Sequence, residues 1–227
     1  MSAQPLWSAP RARERAGTTS GLADPPTDNT DLDGFPETAA PRQLHRLSEW
    51  PGTWWFSSTP DGQSGGRFDL SAPDGTCYLA ETLDGALVEK LLRTRTKVVV
   101  AERLAEVFHA TVTVRVMPHC ADLAAPEALG FGINGEIPTT LDYATPRRWA
   151  AALRRAGWRS LRYLLRGDPS GRSSGRALFG KAGLHRRAPN GMTTHLAPLD
   201  RAHVESLLAD RGVEVRPIPA HVPIVRP

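Results

Sequence analysis

The residue types with chemical reach in this chain fall in three short stretches. The first is Leu44-His45-Arg46-Leu47, followed by the aromatic run Trp54-Trp55-Phe56. The second is Gly65-Gly66-Arg67-Phe68-Asp69, and the third is Tyr78-Leu79-Ala80-Glu81, with Glu89 further on. Two adjacent glycines let the backbone approach a ligand or take positive φ, and they present Arg67 from a turn. A guanidinium offered this way suits a phosphate, because its planar fork donates two parallel hydrogen bonds. The same residues also suit a hairpin turn with a solvated arginine. A carboxylate and an aromatic ring, here Glu89 or Glu81 with Tyr78, meet the needs of N-glycosidic cleavage. The transition state is oxocarbenium-like, so a carboxylate can stabilise its positive charge or hold the ribose hydroxyls. Plainer readings exist for both: Glu89 as a solvated helix residue and Tyr78 as a packed strand residue.

Other chemistries find less support. No G-x-G-x-x-G or P-loop occurs, so the usual nucleotide-binding loops are absent. No G-x-S-x-G nucleophile elbow occurs either. The seven histidines show no metal-ligand spacing, and His119 beside Cys120 is too little for a zinc site, so no metal is expected. Arg147, Arg148, Arg154, Arg155, Arg159 and Arg162 form a basic cluster, read as a solvated or partner-facing surface before a nucleic-acid site.

The elements that must position these residues are short. Thr76–Ala80 reads as a buried strand, and Thr82 caps a helix to about Arg93 with Leu83, Leu87 and Leu91 on one face. Strands are expected at Lys97–Val100, Ala110–Val116, Leu161–Leu165, Arg176–Phe179 and Val213–Ile218, with a short helix over Ala101–Phe108. Thr145 caps a helix with Pro146 in its first turn, and the helix stops at Gly157. Asp200 caps a last helix, with Val204, Leu207 and Leu208 inward and Gly212 as its stop. Short strands interleaved with helices, without a βαβ period, predict an α+β fold and not a doubly wound sheet.

Residues 1–40, rich in Pro, Ala, Thr, Asp and Gly, read as a disordered leader, leaving 41–227 as a single domain. The hydrophobic fraction of 40% is enough for a core. No apolar run reaches the roughly 20 residues that span a bilayer, and Arg11, Arg13 and Arg15 precede no apolar signal core. The two cysteines, Cys77 and Cys120, make neither a disulfide framework nor a metal site and suit a reducing cytoplasm. The formal charge of +4 is a mild excess that chooses no partner.

Taken in order, His45-Arg46, the aromatic run, Gly65-Gly66-Arg67-Phe68-Asp69, Thr76-x-Tyr78-Leu79-Ala80-Glu81 and Ala86-x-x-Glu89 resemble the RES domain. The resemblance runs to the strand Ala177-Leu178-Phe179-Gly180. It implies an ADP-ribosyltransferase-like fold and degradation of NAD⁺ as substrate, with no resident cofactor, by phosphorolysis or hydrolysis at the nicotinamide–ribose bond. It also implies a toxin paired with a helix-turn-helix antitoxin. By resemblance Arg46 and Glu89 are the catalytic pair, Arg67 is the basic residue of the glycine turn, and Tyr78 contacts substrate. Glu81, Arg166 and Ser170 complete the expected binding set. The family serine has no counterpart: its place in Tyr163-Leu164-Leu165-Arg166 is held by Leu165, with Ser170, Ser173 and Ser174 in the loop beyond. A degenerate domain that binds NAD⁺ or a partner protein without turnover is the alternative.

Overall fold

The computed structural model describes residues 21–92, 97–116 and 119–218. In chain order the strands are β1 (Gln43–Ser48), β2 (Trp54–Phe56), β3 (Asp74–Ala80), β4 (Val98–Val100), β5 (Phe108–Val114) and β6 (Cys120–Asp122). They continue with β7 (Ser160–Leu164), β8 (Ser174–Lys181), β9 (Gly183–His185), β10 (Met192–Pro198) and β11 (Glu214–Arg216). The helices are α1 (Leu83–Leu91), α2 (Ala101–Ala105), α3 (Ala144–Arg155) and α4 (Arg201–Ala209).

Seven strands form one sheet in the order β10-β5-β1-β3-β8-β7-β6. Neighbours are antiparallel except β6 and β7, which run parallel. Two small ribbons accompany it, β2 with β9 and β4 with β11. The mixed sheet with segregated helices is the α+β architecture expected.

Strand alternation divides the core between the two faces of the sheet. On β3, Cys77 and Leu79 join Leu44, Trp54, Phe56, Val112 and Leu178 on one face. Tyr78 and Ala80 turn to the larger core on the other, with Leu47, Leu87, Trp149, Leu153 and Leu165. There α3 buries Trp149, Ala150, Ala152 and Leu153 with no exposed surface. The left-handed Gly157 and Gly212, at φ +98° and +67°, follow α3 and α4 as the sequence predicts.

The short helix α2 ends at Ala105, and Phe108, expected within it, opens β5; three further local expectations differ. Thr145 is not the cap of α3: the helix starts at Ala144 behind Tyr143, with no side-chain cap. The helix capped by Thr82 ends at Leu91, and Arg93 lies outside the described residues. The third difference is the leader, whose residues 1–20 lie outside the described residues. Residues 21–40 are packed: Leu22, Leu32 and Phe35 are buried, and Asn29–Leu32 form a 3₁₀ turn capped by Asp28. The Phe35 ring lies 4.8, 6.4 and 6.1 Å from those of Phe131, Trp149 and Trp158. Trp149 Nε1 donates to the Ala23 carbonyl at 2.8 Å. A polar stretch with three well-spaced apolar residues thus covers one side of α3.

Candidate active site

A cleft of about 690 Å³ opens between β1, β3, α1 and the segment after β7, within the roughly 300–1,000 Å³ of small-ligand sites. Its walls carry Arg67, Arg166, Glu89 and Lys90, with His45 from β1. The chain has only three tyrosines, and Tyr78, Tyr143 and Tyr163 all line this cleft. Sequence reasoning singled out the first and missed the other two, although the rarity of the residue was itself a signal.

Arg67 arrives on the glycine turn and is buried. Its Nη1 donates to the carbonyls of Ile137 at 3.1 Å and Thr140 at 2.7 Å. The guanidinium carbon stands 4.4 Å from the centre of the Tyr143 ring, a cation–π geometry. Burial pulls the Arg67 pKa down and the neighbouring Arg166 adds to this, while Tyr143 and Glu89 oppose it. Arg67, Arg166 and Glu89 therefore interact electrostatically across one site. Glu89 reaches it from α1, where it is half-buried.

The turn is held by Asp69, which sequence reasoning quoted but gave no role. Its buried carboxylate accepts from Ser57 Oγ at 2.7 Å, Thr59 Oγ1 at 2.5 Å, the Gly66 amide at 2.7 Å and Tyr78 Oη at 2.8 Å. Tyr78 Oη in turn accepts from the Phe68 amide at 2.9 Å. The Tyr78 pKa is raised, chiefly by burial and then by the Asp69 charge. Neither Gly65 nor Gly66 has positive φ. The need for glycine is steric: a Cβ on Gly66 would lie 2.4 Å from Asp69 Oδ1 and 2.5 Å from Tyr78 Oη. Tyr78 thus borders the cleft with its ring and fastens the Arg67 turn with its hydroxyl. From α3, Arg147 secures the same loop, Nε to Gly66 O at 3.0 Å and Nη1 to Gln63 O at 2.7 Å.

Three other expected site residues are placed differently. Arg46 borders the cleft along β1, but its Nη1 donates to Cys77 Sγ at 2.6 Å and Trp55 O at 3.3 Å. Cys77 belongs to the opposite core, so the Arg46 guanidinium is turned away from Tyr78 by strand alternation. Glu81 does not line the cleft: it takes Ser174 Oγ at 2.6 Å, Arg176 Nε at 2.6 Å and Arg162 Nε at 3.4 Å. Ser170 is exposed, its Oγ bonded to Asp168 at 2.6 Å. The bonds from Ser170 and Ser173 pull the Asp168 pKa down. Leu165, 2% exposed, is packed in the larger core beneath Tyr163.

The arginine cluster is also less open than expected. Arg147 is buried, Arg148 binds Asp24, Arg154 binds Asp74 at 2.9 Å, and Arg162 binds Asp122 at 3.1 Å. Arg155 and Arg159 remain exposed. Three of the six are ion-paired and Arg147 is buried, which interrupts the basic stripe. Among the described residues no group of His, Cys, Asp and Glu could hold a metal ion, and no helix is long and apolar enough to cross a membrane.

The cleft thus brings two arginines, a glutamate and three tyrosines together on an α+β scaffold. Residues 40–188 match the RES domain family, and the chain belongs to it. It is also similar in fold to a chain of the crystal structure of the M. tuberculosis MbcT–MbcA toxin–antitoxin complex. That likeness has a TM-score of 0.57 at 17% identity, and it covers 80% of this chain and 96% of that one. No curated protein matches the chain.

Proposed function

We propose that this RES domain cleaves NAD⁺ at the nicotinamide–ribose bond, by phosphorolysis or hydrolysis. The observation that carries this reading is the convergence of Arg67, Arg166, Glu89 and the three tyrosines on one cleft. Arg67 and Arg166 hold the pyrophosphate, Arg67 with its remaining donors. The tyrosine rings offer faces for the nicotinamide, and Glu89 stabilises the positive charge that develops at the ribose. Arg46 supports β1 from behind, through Cys77 and the Trp55 carbonyl. NAD⁺ is substrate here, not a resident cofactor. The protein acts in the cytoplasm as the toxin of a pair, restrained by a helix-turn-helix antitoxin; its likeness in fold to a chain of a toxin–antitoxin complex supports the toxin role.

The deciding experiment follows nicotinamide release from NAD⁺ by purified protein, with and without phosphate. Release in either condition supports the reading, and its absence in both overturns it. The second reading, binding without turnover, is favoured by the buried Leu165 where the family serine is expected. Calorimetric NAD⁺ binding without release would select it.

A further inference from the structure

We propose that His45 is the base that takes the proton from water when this cleft hydrolyses NAD⁺, and that His109 orients it. The inference rests on the NAD⁺ reading above. His45 borders the cleft, and its Nδ1 lies 3.0 Å from His109 Nε2 on the neighbouring strand β5. The two rings meet edge to edge, with centroids 5.3 Å apart and planes at 22°. At that separation one nitrogen carries a proton and the other presents a lone pair; in the proposed arrangement His45 Nδ1–H is the donor to His109 Nε2, the tautomer in which His45 Nε2 presents its lone pair. With Nδ1 engaged, Nε2 is the His45 nitrogen left to serve the cleft. Behind the pair, Thr111 Oγ1 stands 3.4 Å from His109 Nε2, and His195 of β10 is the register partner of Thr111.

The surroundings decide what His45 can do. Of the charged or titratable groups facing it, α1 supplies Glu89 and Lys90, the glycine turn Arg67, and the segment after β7 Arg166, with the phenols of Tyr78, Tyr143 and Tyr163. Strand β5 supplies His109 and β10 His195, whereas β3 presents Ala80 as the register partner of His45. Lys90 is bonded to Glu49 at 3.1 Å. Arg67, Arg166 and Lys90 serve the cleft as donors, and Glu89 is occupied with the developing charge at the ribose. Among the described residues that line the cleft, His45 is the remaining proton acceptor. Burial lowers the His45 pKa, and His109 is lowered by burial, then by His45 and His195. Both rings are therefore neutral at pH 7, the form a base requires.

In the step itself the water oxygen bonds to the ribose C1″ while one of its protons passes to His45 Nε2. The C1″–N bond breaks, and its electron pair neutralises the departing nicotinamide. A phosphate dianion already brings an oxyanion and needs no such help. His45 thus governs the water branch of the reaction and leaves the phosphate branch alone.

The test compares nicotinamide release by wild type, His45→Gln, His109→Gln and His109→Ala, without phosphate and with it, across pH 5–8. His45→Gln should slow the phosphate-free reaction by about 10²–10⁴-fold and leave the phosphate-driven rate near wild type. Wild-type hydrolysis should fall as pH drops below the lowered His45 pKa, a limb that His45→Gln lacks. His109→Ala should lower kcat with KM kept, and His109→Gln, which retains a hydrogen-bonding end, should recover part of it. Unchanged hydrolysis with its pH limb intact in His45→Gln overturns the proposal. So does a wild type that cleaves NAD⁺ only with phosphate, although the proposed function then stands. No release under any condition overturns both.

Discussion

At the residue scale, two glutamates that looked alike in sequence separate by environment. Glu89 faces the cleft with Arg67 and Arg166, whereas Glu81 is tied to Arg176, Ser174 and Arg162. Glu89→Gln keeps the shape and removes the charge, so kcat for nicotinamide release should fall by about 10²–10³-fold with the melting temperature nearly unchanged. Glu81→Gln should do the reverse. Arg176 is 2% exposed, and a buried cation deprived of its carboxylate costs roughly 3–5 kcal/mol. Equal loss of activity at constant stability in both variants would refute this division. Leu165 belongs to the same scale. Restoring the family serine there would not restore a contact, because the side chain is enclosed in the core and not in the cleft wall. Leu165→Ser should lower unfolding stability by about 2–5 kcal/mol through the cavity and the buried hydroxyl. A urea titration measures this, and a variant as stable as wild type but faster would show that the serine site is open.

At the element scale, the glycine turn is rigid because four donors converge on Asp69 and Arg147 clasps the loop from α3. Gly66→Ala would force a methyl group against Asp69 and Tyr78. The turn must then shift and carry Arg67 with it. Displacements of about 1 Å at a positioning group can cost on the order of 10²-fold, so NAD⁺ turnover should drop by 10-fold or more while far-UV circular dichroism stays native. Turnover within twofold of wild type would refute the claim that the turn sets Arg67. The turn, β3, and α1 with its Thr82 cap were legible beforehand because each has a local signature: paired glycines, a buried apolar run, a hydroxyl before a leucine stripe. The edge strand β10 was not, since Met192–Pro198 holds threonines, a histidine and a proline with no clear alternation of polarity. Its strand character comes from the ladder it forms with β5, a long-range partnership that no local pattern reveals. Arg46 is a related case: the face its guanidinium takes follows from the pairing of β1 with β3, which no local pattern reveals.

At the scale of the whole molecule, the segment before β1 is part of the fold that holds the site. Phe35 sits among Phe131, Trp149 and Trp158, and Trp149 is the fully buried centre of α3. That helix also carries Arg147, whose hydrogen bonds reach Gly66 and Gln63 of the glycine turn. Removing the Phe35 ring opens a void in this cluster, and phenylalanine-to-alanine changes in a core cost about 3–5 kcal/mol. That is a large share of the roughly 5–15 kcal/mol by which domains are stable. Phe35→Ala should therefore lower the urea midpoint with the slope unchanged, since the surface exposed on unfolding barely alters. Because α3 links the two regions, NAD⁺ turnover at 37 °C should fall further than at 15 °C, where more of the variant stays folded. A solvated leader gives the opposite result, a midpoint within error of wild type at every temperature. That outcome would detach residues 21–40 from the domain.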